Sequence, residues 1–333
     1  MNRRLSSPHT LDLAGLAERQ LTRGRLRRRD FLRTTSGVGA GLLGSLALSA
    51  CGQSDDDDGG APADTGPSDA DILNFALNLE YLEAEFYQYA AFGTGLANDL
   101  AGGSGTQGMV TGGRMVSFSD PLVAQYAREI AGDERAHVAF LRAALGSAAV
   151  ARPAIDIGGT DPNGAFSVAA RAAGLVGEGE VFDPYASDEN FLLGAYLFED
   201  VGVTAYKGAS PLIDDATFLE AAAGILAAEA YHAGIVRTVL YQKGLETPAL
   251  RDATVAISDA RDSLDGGDDV DQGVIGDAET SNIVPLDDNG IAFSRSPGDV
   301  LNIVYLSTEA VGQGGFFPAG VNGALSMSSA MDG

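Results

Sequence analysis

The chain has 333 residues, 45% of them apolar, and a formal net charge of −25, so it can hold one large or two modest domains around a real core. That acidity argues against nucleic acid and anionic membrane surfaces as partners, because like charges repel. A single cysteine rules out an internal disulfide.

The chain begins with a basic segment. Its first 50 residues carry 9 of the 21 basic residues and 3 of the 46 acidic ones, leaving 12 basic against 43 acidic from residue 51 onward. Arg28-Arg29-Asp30-Phe31-Leu32-Arg33, followed by a Gly/Ala/Leu run to Ala50, resembles a twin-arginine export signal. Residues 1–50 are therefore expected to be a signal peptide and the mature protein to be extracytoplasmic, in the periplasm or cell envelope. The apolar run is shorter than the roughly 20 residues that span a bilayer. Leu48-Ser49-Ala50-Cys51 resembles a lipobox, which implies lipidation of Cys51 and membrane contact through that anchor alone; simple cleavage near Ala50 stays open. Residues 51–67, rich in Asp, Gly and Pro, read as a disordered acidic tether.

From Ser68 the pattern turns helical. Ser68-x-x-Asp71 predicts an N-terminal cap and a first helix over 69–91, with Leu73, Leu77, Glu80, Ala84 and Tyr87 inward. After a glycine-rich loop, a second helix over about 120–145 turns Val123, Tyr126, Ile130, Glu134, His137 and Leu141 inward. A long connection, 146–187, leads to a third helix over 188–208, with Leu192, Tyr196, Glu199, Val203 and Tyr206 on one face. A short link precedes the fourth, over 214–243, whose stripe is Phe218, Ala222, Ile225, Glu229, His232, Val236 and Val239. Residues 68–245 thus read as one all-α four-helix unit. Residues 246–333 read as a C-terminal extension packed on it, with a small hairpin at Asn289-Gly290, a short helix from Pro297 to Leu306, and Phe316 and Phe317 as anchors. The acidic stretch 265–273 lacks EF-hand spacing and reads as a solvated loop.

Each of the four apolar stripes is interrupted by Glu, or by Glu and His. Burying an unpaired carboxylate costs several kcal/mol, so four facing one core need either protons or cations. Two divalent ions would neutralise four carboxylates and would also account for the histidines. The halves repeat: Glu80/Tyr87/Ala90 matches Glu199/Tyr206/Ala209, and Glu134/His137/Arg142 matches Glu229/His232/Arg237. Tyr87 and Tyr206, two turns beyond the lone glutamates, are candidates to hydrogen-bond ligand carboxylates or to serve as plain core tyrosines. Glu83 can face the same cluster, Glu85 reads as solvent-facing, and Arg142 and Arg237 read as surface charges. The nitrogen and carboxylate set suits iron or manganese.

One Glu from each of two helices and Glu-x-x-His from each of the other two resembles the dinuclear carboxylate site of the ferritin-like four-helix bundle. The segments FALNLEYLEAEFY and 294–323 resemble the desiccation-related branch of that superfamily. The resemblance implies a bundle with a long crossover between helices two and three. It makes Glu80 and Glu199 terminal ligands, Glu134 and Glu229 bridges, and His137 and His232 the completing ligand of each of two Fe or Mn ions. The implied activity is redox chemistry on O2 or peroxide (ferroxidase, peroxidase or catalase-like) in stress protection. The other reading is a non-catalytic desiccation or stress protein of the envelope whose metal site is structural or degenerate. No separate catalytic residue, electron donor or oligomeric state is legible in the sequence.

Overall fold

The computed structural model describes residues 66–330. The expected export signal, Cys51 and the tether up to residue 65 lie outside them. Helix α1 (Asp69–Phe92) starts at the expected capping box: the Ser68 hydroxyl accepts from the Asp71 amide, and Asp71 accepts from the Ser68 amide. It ends at Gly93, whose φ of 74° is the left-handed conformation that closes helices. Helix α2 (Pro121–Leu145) opens on Asp120 with Pro121 in its first turn. Helix α3 (Ala165–Ala172) lies within the long connection. Helices α4 (Asp188–Ala209) and α5 (Ala216–Glu246) are capped by Ser187 and Asp215.

α1 packs chiefly with α2, and α4 with α5, giving two helical hairpins joined by the crossover from 146 to 187. α1 is buried on nearly every side, from Ile72 to Ala91, because the crossover and the C-terminal residues cover its back. Asn78, for example, exchanges hydrogen bonds with the backbone of Asn322. This explains why α1 lacks a polar face. The two long connections are stitched together by a short parallel ladder, β1 (Val110–Gly112) on β2 (Ile155–Ile157).

The C-terminal extension contributes α6 (Ala249–Asp265) and α7 (Pro297–Tyr305). The expected hairpin at Asn289-Gly290 is corrected to an isolated turn. The Asp287 carboxylate accepts from the amides of Asn289 and Ile291, and no strand ladder flanks the turn. The aspartate holds the turn locally, so paired strands are not required. Arg237, read from the sequence as a surface charge, is fully buried. It donates to Asp200 and to the carbonyls of Gln272, Gly273, Asn282 and Ile283. Arg261 bridges Asp200 and Asp271, and Arg295 bridges Asp265 and Asp271. Asp271, placed by sequence in a solvated loop, is therefore one member of a buried, charge-balanced lattice of three arginines and three aspartates. Phe316 lies 5.1 Å from Phe166 and 5.0 Å from Phe198, between ring centroids, and anchors the extension as expected.

Candidate metal centre

Because α-helical side chains three and four apart share a face, the glutamates and histidines of the four long helices converge on one point inside the bundle. The six expected ligands all arrive there. His137 Nδ1 lies 3.2 Å from Glu80 Oε2 and 3.6 Å from both Glu134 Oε2 and Glu229 Oε1. His232 Nδ1 lies 3.0 Å from Glu134 Oε1 and 3.7 Å from Glu199 Oε2. Two ligand groups result, Glu80/Glu134/His137/Glu229 and Glu134/Glu199/His232, each with donor atoms within 4.8 Å of one another. Glu134 belongs to both, as a bridging carboxylate must; Glu229 stands with the first.

The donor set fits two cations on a structural observation. Eight buried atoms, Glu80 Oε2, both oxygens of Glu134 and Glu229, Glu199 Oε2 and the two histidine Nδ1 atoms, have no hydrogen-bond partner. Buried polar atoms are ordinarily satisfied, and these eight all belong to the two adjoining ligand groups. Without cations, burial and mutual repulsion favour the protonated form of most of these carboxylates. Burial, followed by the nearby Glu134 charge, raises Glu80 to about 7; burial also raises Glu199 to about 8. Burial pushes Glu229 well above the ordinary carboxylate range. Glu134 goes the other way: burial opposes its charge, but the adjacent imidazoles of His137 and His232 bring it down to about 2. Against the effect of burial, the same carboxylates raise His137 to about 10 and His232 to about 9.

Around the cluster the repeated tyrosines cross over. Tyr87 of α1 donates to Glu199 Oε1 on α4, and Tyr206 of α4 donates to Glu80 Oε1 on α1. Each phenol occupies the outer oxygen and leaves the inner one facing the site, so of the two sequence readings the carboxylate partner holds. His232 has a further partner that the repeat concealed: Asp133 Oδ2 lies 3.3 Å from its Nε2. The matching position before Glu229 is Ala228, so comparing the halves gives no hint of it. His137 is 12% exposed at its side chain and marks the edge where the centre meets solvent. Glu83 is buried beside the cluster. Glu85, expected in solvent, is instead fully buried and paired with Arg152 from the crossover, which it receives because α1 is covered on that side too.

The geometry agrees with what comparison with known proteins finds. The ferritin-like domain family matches residues 68–242. The chain is 32% identical over 253 residues to Desiccation-related protein PCC13-62 of Craterostigma plantagineum, covering 70% of this chain and 76% of that protein. It is 29% identical over 286 residues to Ferritin-like catalase Nec2 of Nesocodon mauritianus, covering 80% and 89%. No solved structure gives a match.

Proposed function

The chain belongs to the ferritin-like domain family, and on that premise we propose that it is an exported protein holding two iron or manganese ions and turning over hydrogen peroxide or O2 in stress protection. The observation that carries this is the set of eight unpartnered, buried donor atoms converging from four helices. Bound there, two such ions would supply a pair of electrons to an oxygen species, or take them from it.

The protein's own part is to bind and orient. Glu80, Glu134, His137, Glu199, Glu229 and His232 offer four carboxylates, which two divalent charges neutralise. Tyr87 and Tyr206 hold the terminal glutamates with one oxygen inward. Asp133 on Nε2 favours the proton there and leaves the His232 Nδ1 lone pair for the site. Burial of all four carboxylates excludes bulk water. The relative named a ferritin-like catalase favours disproportionation of peroxide to water and O2. The relative named a desiccation-related protein supports a second reading, in which the ions mainly brace the bundle. Export and lipid anchoring through Cys51 rest on the sequence of the first 51 residues. No described helix is long and apolar enough to cross a membrane.

The test is elemental analysis of the folded mature chain beside the double variant Glu134→Ala/Glu229→Ala, followed by O2 evolution from peroxide. About two Fe or Mn per chain, lost in the variant together with O2 evolution, is the expected result. Metal retained without peroxide turnover selects the bracing role. An absence of metal after anaerobic loading with Fe(II) and Mn(II) overturns the centre.

A further inference from the structure

The two halves of the centre repeat, so a position where the repeat breaks inside the bundle is informative. Three residues after the matched glutamates Glu80 and Glu199 stand Glu83 and Gly202. Both are buried. A Cβ at 202 would lie 2.4 Å from Glu229 Oε2 and 3.4 Å from Glu83 Oε1, so the bare face of α4 is what lets both carboxylates sit there. Glu83 and Gly202 line a cavity of about 20 Å³ walled also by Leu79, Val201, Val304 and Phe316 among others, with Glu83 as its single ionisable group. Every wall side chain named is less than a tenth exposed. That volume exceeds the roughly 10–15 Å³ one ordered water needs and admits only a molecule of a few atoms.

Glu83 lies beside the expected ligands, and the charges of Glu134, Glu199 and Glu80 act on it. It is in neither ligand group. It is 5% exposed, and its carboxylate accepts no hydrogen bond from a described residue. A buried carboxylate facing an apolar chamber without a partner is costly, and the cost falls when a donor occupies the chamber.

We propose that this chamber receives hydrogen peroxide beside the metal pair, that Gly202 and Val304 set its size, and that Glu83 is a positioning residue accepting a hydrogen bond from the peroxide O–H. Apolar walls exclude anions and larger organic molecules, while a neutral species with an O–H to donate finds one acceptor. The inference rests on reading the centre as a peroxide-handling metal pair. It places the substrate on the α7 side rather than at the His137 edge.

The first measurement is anaerobic nitric oxide binding to the Fe(II)-loaded mature chain, followed by absorption and electron paramagnetic resonance, with iron content determined in parallel. Val304→Ile adds a methylene to the far wall without touching a ligand. It should keep wild-type iron and bind nitric oxide about ten-fold more weakly. Val201→Ile repeats the test from α4 should the first variant fold poorly. The second measurement is peroxide kinetics. Glu83→Leu should raise KM by about five-fold or more at little cost to kcat, and Glu83→Gln, whose amide oxygen still accepts, should restore it. A filled chamber with full iron and undiminished nitric oxide affinity overturns the location and leaves the metal centre standing. Equal KM in wild type and Glu83→Leu overturns the role of Glu83. A wild-type chain that holds no iron removes the premise, and the chamber falls with it.

Discussion

Tyr87 and Tyr206 show how much a single hydroxyl can decide. Each fixes a carboxylate on the other helical hairpin, so the two phenols align Glu80 and Glu199 and also tie α1 to α4. Removing either hydroxyl leaves a glutamate free to turn its inner oxygen away. Tyr87→Phe and Tyr206→Phe are each expected to lower metal affinity by about 10–100-fold while keeping the helical circular-dichroism spectrum. Competition with a chelator of known affinity measures this, and unchanged affinity in both variants would make them plain core tyrosines. The sequence pointed to these residues because the Glu-x6-Tyr spacing repeats. It gave no sign of the crossing, since a spacing within one helix carries no information about which neighbouring helix the side chain meets.

At the scale of elements, the arginine lattice is what fastens the C-terminal extension to the hairpin of α4 and α5. Arg237 saturates its guanidinium on Asp200 and four backbone carbonyls from 272–283. Truncating it removes one of the two guanidinium partners of buried Asp200 and leaves four carbonyls short of a donor, so Arg237→Ala should cost about 3–5 kcal/mol. Limited proteolysis should then cut within 266–295 well before the bundle opens, and a protease pattern identical to wild type would sink this account. Arg237 and Arg142 occupy matching positions in the repeat, yet Arg142 is only partly buried, where it donates to Tyr81 and the Gly102 carbonyl. The helical pattern places both arginines on the backs of their helices. Only the later arrival of the extension over α5 converts one of them into a core residue.

At the scale of the molecule, metal loading and stability are linked through protons. Without cations, Glu80 at about 7, Glu199 at about 8, His232 at about 9 and His137 at about 10 all hold protons more tightly than in an unfolded chain. The native state therefore binds more protons than the unfolded state from about pH 4.5 to 10, and the stability of the metal-free protein falls as pH rises through that window. Glu134, depressed to about 2, contributes stability that is present above the ordinary carboxylate range and lost as pH falls toward 2. Ligating cations requires the opposite protonation, ionised carboxylates and neutral imidazoles, so loading releases protons and strengthens with pH. The gap in Tm between loaded and chelator-treated protein should widen steadily from about pH 6 to pH 9. A gap independent of pH would show that these groups are not the ligands.

The amino-acid sequence by itself determined the four long helices, the Ser68 cap, the crossover and the six acidic and histidine side chains that converge in the bundle. Those depend on local periodicity and on repeated spacings such as Glu134/His137 and Glu229/His232, which a single helix turn enforces. The tertiary structure alone decided the rest: the crossed tyrosines, the burial of Glu85, Arg237 and Asp271, the Asp133 contact with His232, and the chamber at Gly202. Each of these depends on which segment lies over which, and burial of a charged side chain is set by its distant partner rather than by its neighbours in the chain.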